Sequence, residues 1–297
     1  MQFLCYWYSH QLFQVKWGEC LSEPFHVTND IRQGGLLSPF FFNVYIDDLS
    51  HELNGTNVGC CVSDTLINHL SYADDMVLLA PSAKALQRLL DVCTKYAELN
   101  DIVYNTSKSV CMVSWPKKAK RKFAPVFMLM GEALTFVDEF PYLGHTITPD
   151  LCDDKELMKR MRNMYAVGNA LVRKFNSCSP DIKILLFKTY CSSVYCSALW
   201  CGYRVTSWSK VKVSHNDVLR NLLGVPRYCS ASALFVNYRL NNLDAIVRVN
   251  MFSLMQRLLK SSNTLVGAVT KGEVRVYSRT WHNFNIRLRG HDNMFVI

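Results

Sequence analysis

The chain has 297 residues, 49% of them apolar and 19% charged, with 13 glycines and 9 prolines. That composition excludes a disordered or fibrous chain and leaves length for a sizeable core, with length alone suggesting about two domains. Lys plus Arg outnumber Asp plus Glu by 33 to 24, a formal charge of +9, which is compatible with a polyanionic partner without requiring one.

There are 12 cysteines, none in a Cys-x-x-Cys pair and none at zinc-finger spacing from a histidine. Cys191, Cys196 and Cys201 recur every five residues inside an aromatic run, which fits no metal template. They read as reduced thiols of an intracellular protein, in nucleus or cytoplasm. No apolar stretch reaches the ~18 residues of a membrane span. The apolar start, Met1 to Tyr8, lacks a basic region and a small-residue cleavage site. It reads as the middle of a fold rather than as a signal peptide.

In chain order, Phe13–Trp17 and Pro24–Thr28 predict two strands around Gly18-Glu19. The glycine pair 34–35 permits a tight backbone or close approach of a ligand. Ser38-Pro39 predicts a helix start, hydroxyl cap then proline, with apolar residues at 42, 45, 46, 49 and 53 and a stop at Asn54-Gly55. Residues 66–80 hold two apolar runs around Asp74-Asp75, the pattern of a hairpin. Ser82 predicts the cap of a helix through Asn100, and Ile102–Tyr104 and Val110–Val113 predict strands around Asn105–Lys108.

Lys117, Lys118, Lys120, Arg121 and Lys122 form a basic run, either a solvated loop or a phosphate-contact or nuclear-import patch. Phe140–Thr148 predicts another hairpin, and the chain beyond about 150 predicts helices only: 155–175, 180–200, 213–224 and 243–260. A domain boundary is therefore expected near 150, giving 1–150 and 151–297. In 155–175, Leu157, Met161, Met164, Leu171 and Phe175 share one helix face, and Lys155, Lys159, Arg162 and Arg173 share the other. The basic face reads equally as an ordinary solvated surface or as a stripe that tracks a polyanion. Residues 262–297 predict no clear element.

Adjacent carboxylates in a partly buried turn repel and lose hydration, an arrangement that a divalent cation relieves. Asp47-Asp48 and Asp153-Asp154 are also adjacent, but both sit in helical settings and carry no such expectation. Asp74-Asp75 differs in its apolar flanks and in the Tyr72-Ala73 that leads in.

Tyr72-Ala73-Asp74-Asp75 between apolar strands resembles the metal-binding hairpin of reverse transcriptases. Ile31-Arg32-Gln33-Gly34-Gly35-Leu36-Leu37-Ser38-Pro39, with Phe42-Asn43 beyond, resembles the preceding motif in the reverse transcriptases of non-LTR, LINE-like retrotransposons. Asn105 to Ser109 and Phe140-Pro-Tyr-Leu-Gly-His145 resemble the next two motifs. The ordered set covers roughly residues 28–148. Leu219 to Pro226 is a weaker match to the helical region of such elements.

The resemblance implies an α+β fold: a right-hand polymerase palm with a β-hairpin active site, followed by an all-helical thumb-like region. It implies templated transfer of a nucleotide from a dNTP to a DNA primer on an RNA template, with two Mg²⁺ ions roughly 4 Å apart. Carried over by position, Asp74 and Asp75 are metal ligands, Asp74 the stronger. Arg32, Gln33, Gly34, Tyr72 and Asn105 lie by nucleotide, template or primer end, and Lys108 by the triphosphate as a candidate acid. Lys155, Lys159, Arg162 and Arg173 track the duplex backbone.

The family's metal site takes a third carboxylate from an upstream Asp that closes a strand. Residues 1–29 contain no aspartate, and Glu19 and Glu23 match no such context. The expectation is a chain that starts inside the palm, without the fingers or the first catalytic motif, and is inactive alone. Asp30 also stands where the family has glycine, a position it tolerates if φ is positive. The other readings are a non-enzymatic nucleic-acid-binding remnant, or a polymerase completed by another chain.

Overall fold

The computed structural model describes residues 6, 9–26, 36–62, 64–114, 125–268 and 270. The basic run at 117–122 and the residues Asp30, Arg32, Gln33 and Gly34 lie outside the described residues. The chain divides into two compact units, Met1–Cys60 with Ile67–Ile102, and Cys61–Leu66 with Val103–Ile297. Among the described residues the strands end at Ile147 and only helices follow, whereas contacts group the strands after Val103 with those helices.

In the first unit, β1 (Leu12–Phe13) pairs with β4 (Phe25–His26) and β2 (Lys16–Trp17) with β3 (Cys20–Leu21), both antiparallel. The two expected strands are thus one longer hairpin whose tip is Gly18-Glu19. Its Cys20–Leu21 strand escaped the sequence reading because Gly18, Glu19 and Ser22 around it look like loop.

Helix α1 spans Ser38–Gly55. Ser38 is its first residue and is buried, Leu37 takes the cap position without a side-chain hydrogen bond, and Pro39 sits in the first turn, so the expected Ser38 hydroxyl cap is not formed. Leu49 and Leu53 are fully buried, while Phe40, Val44 and Tyr45 face outward. Helix α2 (Ala83–Leu99) follows the expectation closely: Ser82 Oγ accepts the Ala85 N–H at 3.3 Å, and Leu89, Leu90, Cys93, Tyr96 and Ala97 are buried. The Tyr96 hydroxyl donates to the Tyr45 carbonyl at 2.8 Å, tying α2 to α1.

Ile102–Tyr104 makes no strand. Asp101 is left-handed (φ 51°), and the Ile102 N–H reaches back to the Ala97 carbonyl at 3.0 Å. These residues close α2 with a Schellman-type bond, so the helix end takes residues that the apolar pattern assigned to a sheet.

In the second unit, β9 (Val110–Cys111) runs parallel to β12 (Thr135–Phe136). β10 (Met128–Leu129) and β11 (Glu132–Ala133) form one hairpin, β13 (Phe140–Tyr142) and β14 (His145–Ile147) another. Helix α3 (Asp154–Phe175) buries Leu157, Met164 and Leu171 and exposes Lys155, Arg162 and Arg173, the two faces expected.

The stretch expected as one helix over 180–200 breaks into three pieces. α4 (Pro180–Leu186) passes into a wide π turn at Phe187–Cys191 and then a short 3₁₀ turn at Ser197–Leu199. Ser192 and Ser193, whose hydroxyls favour turns over helix interiors, stand at the break.

α5 (Val205–Leu223) starts earlier than expected because the Asp154 carboxylate, a distant residue, accepts the Arg204 N–H at 2.9 Å. α6 (Ala231–Asn237) and α7 (Leu243–Leu259) follow. α3 and α5 cross tightly at Gly168, where a Cβ would meet Val218 Cγ1 at 2.6 Å.

The β13–β14 hairpin is bolted to α3 by a buried carboxylate. Glu156 is fully buried, accepts the Thr146 N–H at 2.9 Å and pairs with Arg160, which also donates to the Gly144 carbonyl at 2.9 Å. Burial alone would raise the Glu156 pKa, but the Thr146 donors and Arg160 together outweigh it and hold the carboxyl below its ordinary 4.5. His215 on α5 is also fully buried, with neither ring nitrogen hydrogen-bonded, between Phe187 and Phe235. Burial pushes its imidazole down to about 4 from 6.5.

Both shifts make the fold acid-sensitive, in different windows. His215 is neutral in the fold, so its stability is complete above pH 6.5 and declines as pH falls through about 4. The loss approaches about 3 kcal/mol on full protonation. Glu156 is ionised in the fold, so its contribution is complete above pH 4.5 and is lost below it. Urea unfolding of the His215→Leu chain should weaken less than that of the parent from pH 6.5 to 5, the slope that remains being that of groups such as His69; equal slopes in the two chains would contradict the buried neutral imidazole. Glu156→Gln, which strands Arg160, should cost about 3 kcal/mol at pH 7.

Candidate functional site

After the short strands β5 (Cys60–Val62) and β6 (Thr65–Ile67), β7 (His69–Tyr72) and β8 (Asp75–Leu78) pair antiparallel with Tyr72 opposite Asp75 and His69 opposite Leu78, so the expected hairpin is present. The loop between them is Ala73-Asp74, only two residues. Ala73 is left-handed (φ 52°), a conformation that costs a residue with a Cβ about 1 kcal/mol and that accumulates at functional turns. Leu70, Tyr72, Asp75 and Val77 share one face of the ladder, and Asp74 stands at the tip.

The tip is not partly buried, as the apolar flanks led one to expect. Tyr72, Asp74 and Asp75 are all exposed, and only the body of the hairpin, His69, Leu70 and Met76 to Leu78, is half-buried. The flanks pack while the two-residue loop projects past them, so both carboxylates keep their hydration and their mutual repulsion is screened.

The base of the hairpin is fixed by residues that the sequence reading passed over. Asn68 is 1% exposed, and its Nδ2 donates to the Leu53 carbonyl at 2.7 Å, satisfying the end of α1. Because Nδ2 is committed to Leu53, Oδ1 is the acceptor for His69 Nδ1 at 2.7 Å, which places the imidazole proton on Nδ1. Burial lowers the His69 pKa, consistent with that neutral ring. The Leu79 N–H donates to the Asn68 carbonyl at 2.8 Å, continuing the ladder beyond β8. Gly59 passes so close that a Cβ there would lie 2.8 Å from both Asn68 Cβ and the Ile67 carbonyl oxygen. A lone asparagine inside an apolar run was the available signal.

Asn105 and Lys108 belong to the second unit and share one turn. Asn105 Oδ1 accepts the Lys108 N–H at 3.1 Å and the Ser107 hydroxyl at 2.7 Å, an Asx-type turn that presents Lys108. Lys155, Lys159, Arg162 and Arg173 line one face of α3. Lys155 pairs with Glu139 at 2.7 Å and Lys159 lies 4.0 Å from Glu156, whereas Arg162 and Arg173 make no ion pair among the described residues. Half of the stripe therefore has its charge matched locally.

Carboxylate oxygens are the donors that Mg²⁺ prefers, so Asp74 and Asp75 suit a hard cation in kind. In number they fall short of a two-ion clamp: among the described residues no third His, Cys, Asp or Glu joins them. No helix among the described residues is long and apolar enough to cross a membrane.

The anchor makes a testable demand. Asn68→Ala leaves the Leu53 carbonyl and the His69 ring without their partner and should cost about 2 kcal/mol. Gly59→Ala forces backbone apart and should cost about 1–3 kcal/mol. Chemical denaturation measures both, and losses under about 0.5 kcal/mol, the level of an ordinary surface change, would show that the anchor is not structural.

Residues 2–147 match the family model described as reverse transcriptase (RNA-dependent DNA polymerase). The chain is 30% identical over 133 residues to the retrovirus-related Pol polyprotein from type-2 retrotransposable element R2DM of Drosophila melanogaster, a match covering 43% of this chain and 12% of that protein. It is 28% identical over 127 residues to the Pol polyprotein from type-1 retrotransposable element R2 of Popillia japonica, covering 40% of this chain and 18% of the relative. The matched part thus spans under a fifth of each of these relatives. The ordered motifs, the family match over residues 2–147 and these relatives agree, and together they support a partial reverse transcriptase of a non-LTR retrotransposon in that segment.

Proposed function

We propose that this chain is a palm-and-thumb portion of an RNA-directed DNA polymerase, which holds an RNA template and DNA primer but does not turn over alone. The observation that carries the reading is the pairing of an anchored, exposed Tyr72-Ala73-Asp74-Asp75 tip with the absence of a third acid beside it among the described residues. Residues 1–150 supply the partial palm and 151–297 the thumb-like helices.

Asp74 and Asp75 are the residues that would hold Mg²⁺, which in the parent chemistry supplies charge neutralisation for phosphoryl transfer from a dNTP. The exposed pair would offer a single, largely hydrated ion a place, and among the described residues no further acid joins it to hold a second. Tyr72, opposite Asp75 on the ladder, would pack against a primer end. Arg32, Gln33, Gly34 and Asn105 are assigned to nucleotide and template, and Lys108, lifted by the Asn105 turn, to the triphosphate.

Duplex binding falls to the α3 stripe. Arg162 and Arg173, which make no ion pair among the described residues, contribute most, since Lys155 must first part from Glu139. Such contacts read no sequence and weaken as salt displaces them. A non-enzymatic remnant would use the same stripe, and the shortage of acids at the tip favours that second reading for the isolated chain.

Fluorescence anisotropy with an RNA–DNA hybrid checks the stripe. Affinity should fall steeply with salt, the Arg162→Ala/Arg173→Ala chain should bind with a log–log salt slope smaller by about 2, and Asp74→Ala should bind like the parent. Affinity indifferent to salt, or unchanged in the double variant, would remove the stripe from the interface.

A further inference from the structure

The second unit carries a groove of about 410 Å³ between α4 with its π turn and the end of α6, and none of its lining residues has a role above. We propose that this groove holds one unstacked nucleotide of a single-stranded nucleic acid, with Lys188 and Arg239 on the phosphate and Ile184, Leu185 and Tyr238 against the base. The proposal rests on the nucleic-acid reading above but uses residues apart from the α3 stripe and the Asp74-Asp75 tip.

Two backbone irregularities meet at this groove. Lys188 lies in the π turn Phe187–Cys191, a rare wide turn that recurs at functional sites. Arg239 is left-handed (φ 49°) just past the end of α6, with its N–H on the Val236 carbonyl at 3.1 Å and the Leu240 N–H on Phe235 at 2.8 Å. A helix that ends this way favours glycine at the left-handed position. A long cationic side chain there costs stability, and the position delivers it to the groove.

The charges are unspent. Neither Lys188 nor Arg239 makes an ion pair among the described residues, although Asp181 lines the same groove. Arg227, by contrast, is locked to the buried Asp217 at 2.9 Å. Two cations left free beside one acid form a net positive rim suited to a phosphodiester.

The floor is apolar: Ile184 is buried, Leu185 is 59% exposed and Tyr238 is half-buried. Such a surface suits the face of a base, which stacks on aromatic and apolar side chains regardless of sequence. Asp181 and Asn237 also line the groove and bring polar groups to it, and an aspartate accepts from an exocyclic amino group. The volume matches one nucleotide rather than a duplex.

The test uses the full chain and a short single-stranded RNA. Lys188→Gln with Arg239→Gly should weaken binding about tenfold and reduce the salt slope by about 1–2. Lys210→Gln, an exposed cation elsewhere on α5, should leave affinity within twofold, roughly the effect of a lost distant charge. Arg239→Gly alone should bind less tightly yet raise Tm by about 2–4 °C, because glycine relieves the left-handed backbone. A less stable Arg239→Gly chain would make Arg239 structural and overturn the proposal. Undiminished RNA binding in the double variant would overturn the groove while leaving the α3 stripe standing, and failure of the parent chain to bind any RNA would take both.

Discussion

The side chain of Asn68 is the fixed point of the hairpin that carries the two aspartates. A two-stranded ladder alone is marginal in water, and β7–β8 is a two-stranded ladder. What holds it is a buried amide that gives its donor to the C-terminal turn of α1 and its acceptor to His69, with Gly59 pressed against its Cβ. With the base gripped, the tip can be exposed, left-handed at Ala73 and doubly charged without unravelling the strands.

The second unit solves a comparable problem with charge. The Phe-Pro-Tyr-Leu-Gly-His hairpin is docked on α3 through Glu156, whose desolvation is offset by the Thr146 amide and the Arg160 guanidinium. Arg160 also lies over the Tyr195 ring at 5.4 Å, and the Tyr195 hydroxyl donates to the Leu143 carbonyl at 3.0 Å. Next to it, Asp153 accepts the amides of Cys201 and Gly202 at 2.9 and 2.8 Å, so the start of α3 is held from a loop far along the chain. The Asp153-Asp154 pair, without chemistry in the sequence reading, proves to be two tertiary caps: Asp154 sets the start of α5.

Much of this was legible from local pattern. The 3.6-residue rhythm placed α2 and α3 and their buried faces, and the apolar flanks of Asp74-Asp75 and of Leu143-Gly144 placed two hairpins. The readings that failed were decided by distant partners. Residues 102–104 have strand composition but close a helix; α5 begins where Asp154 caps it; the helix after Pro180 widens into a π turn and stops. The exposure of Asp74 and Asp75 was misjudged for a related reason, because flanking apolarity reports on the strands and not on how far a two-residue loop projects beyond them. Asn68 and Glu156 were missed because a buried polar residue looks like a surface one until its partners are known. The motif order, by contrast, pointed to the family without any contact information.

The central claim is that the anchored Asp74-Asp75 tip keeps the form of a polymerase hairpin while no third acid joins it among the described residues. Template-directed primer extension by the purified chain, with RNA template, DNA primer, dNTPs and Mg²⁺, tests it most directly. The account predicts no extension above that of the Asp74→Ala chain. Robust synthesis that Asp74→Ala abolishes would contradict it, and would mean that the ligands which complete the site lie within this chain.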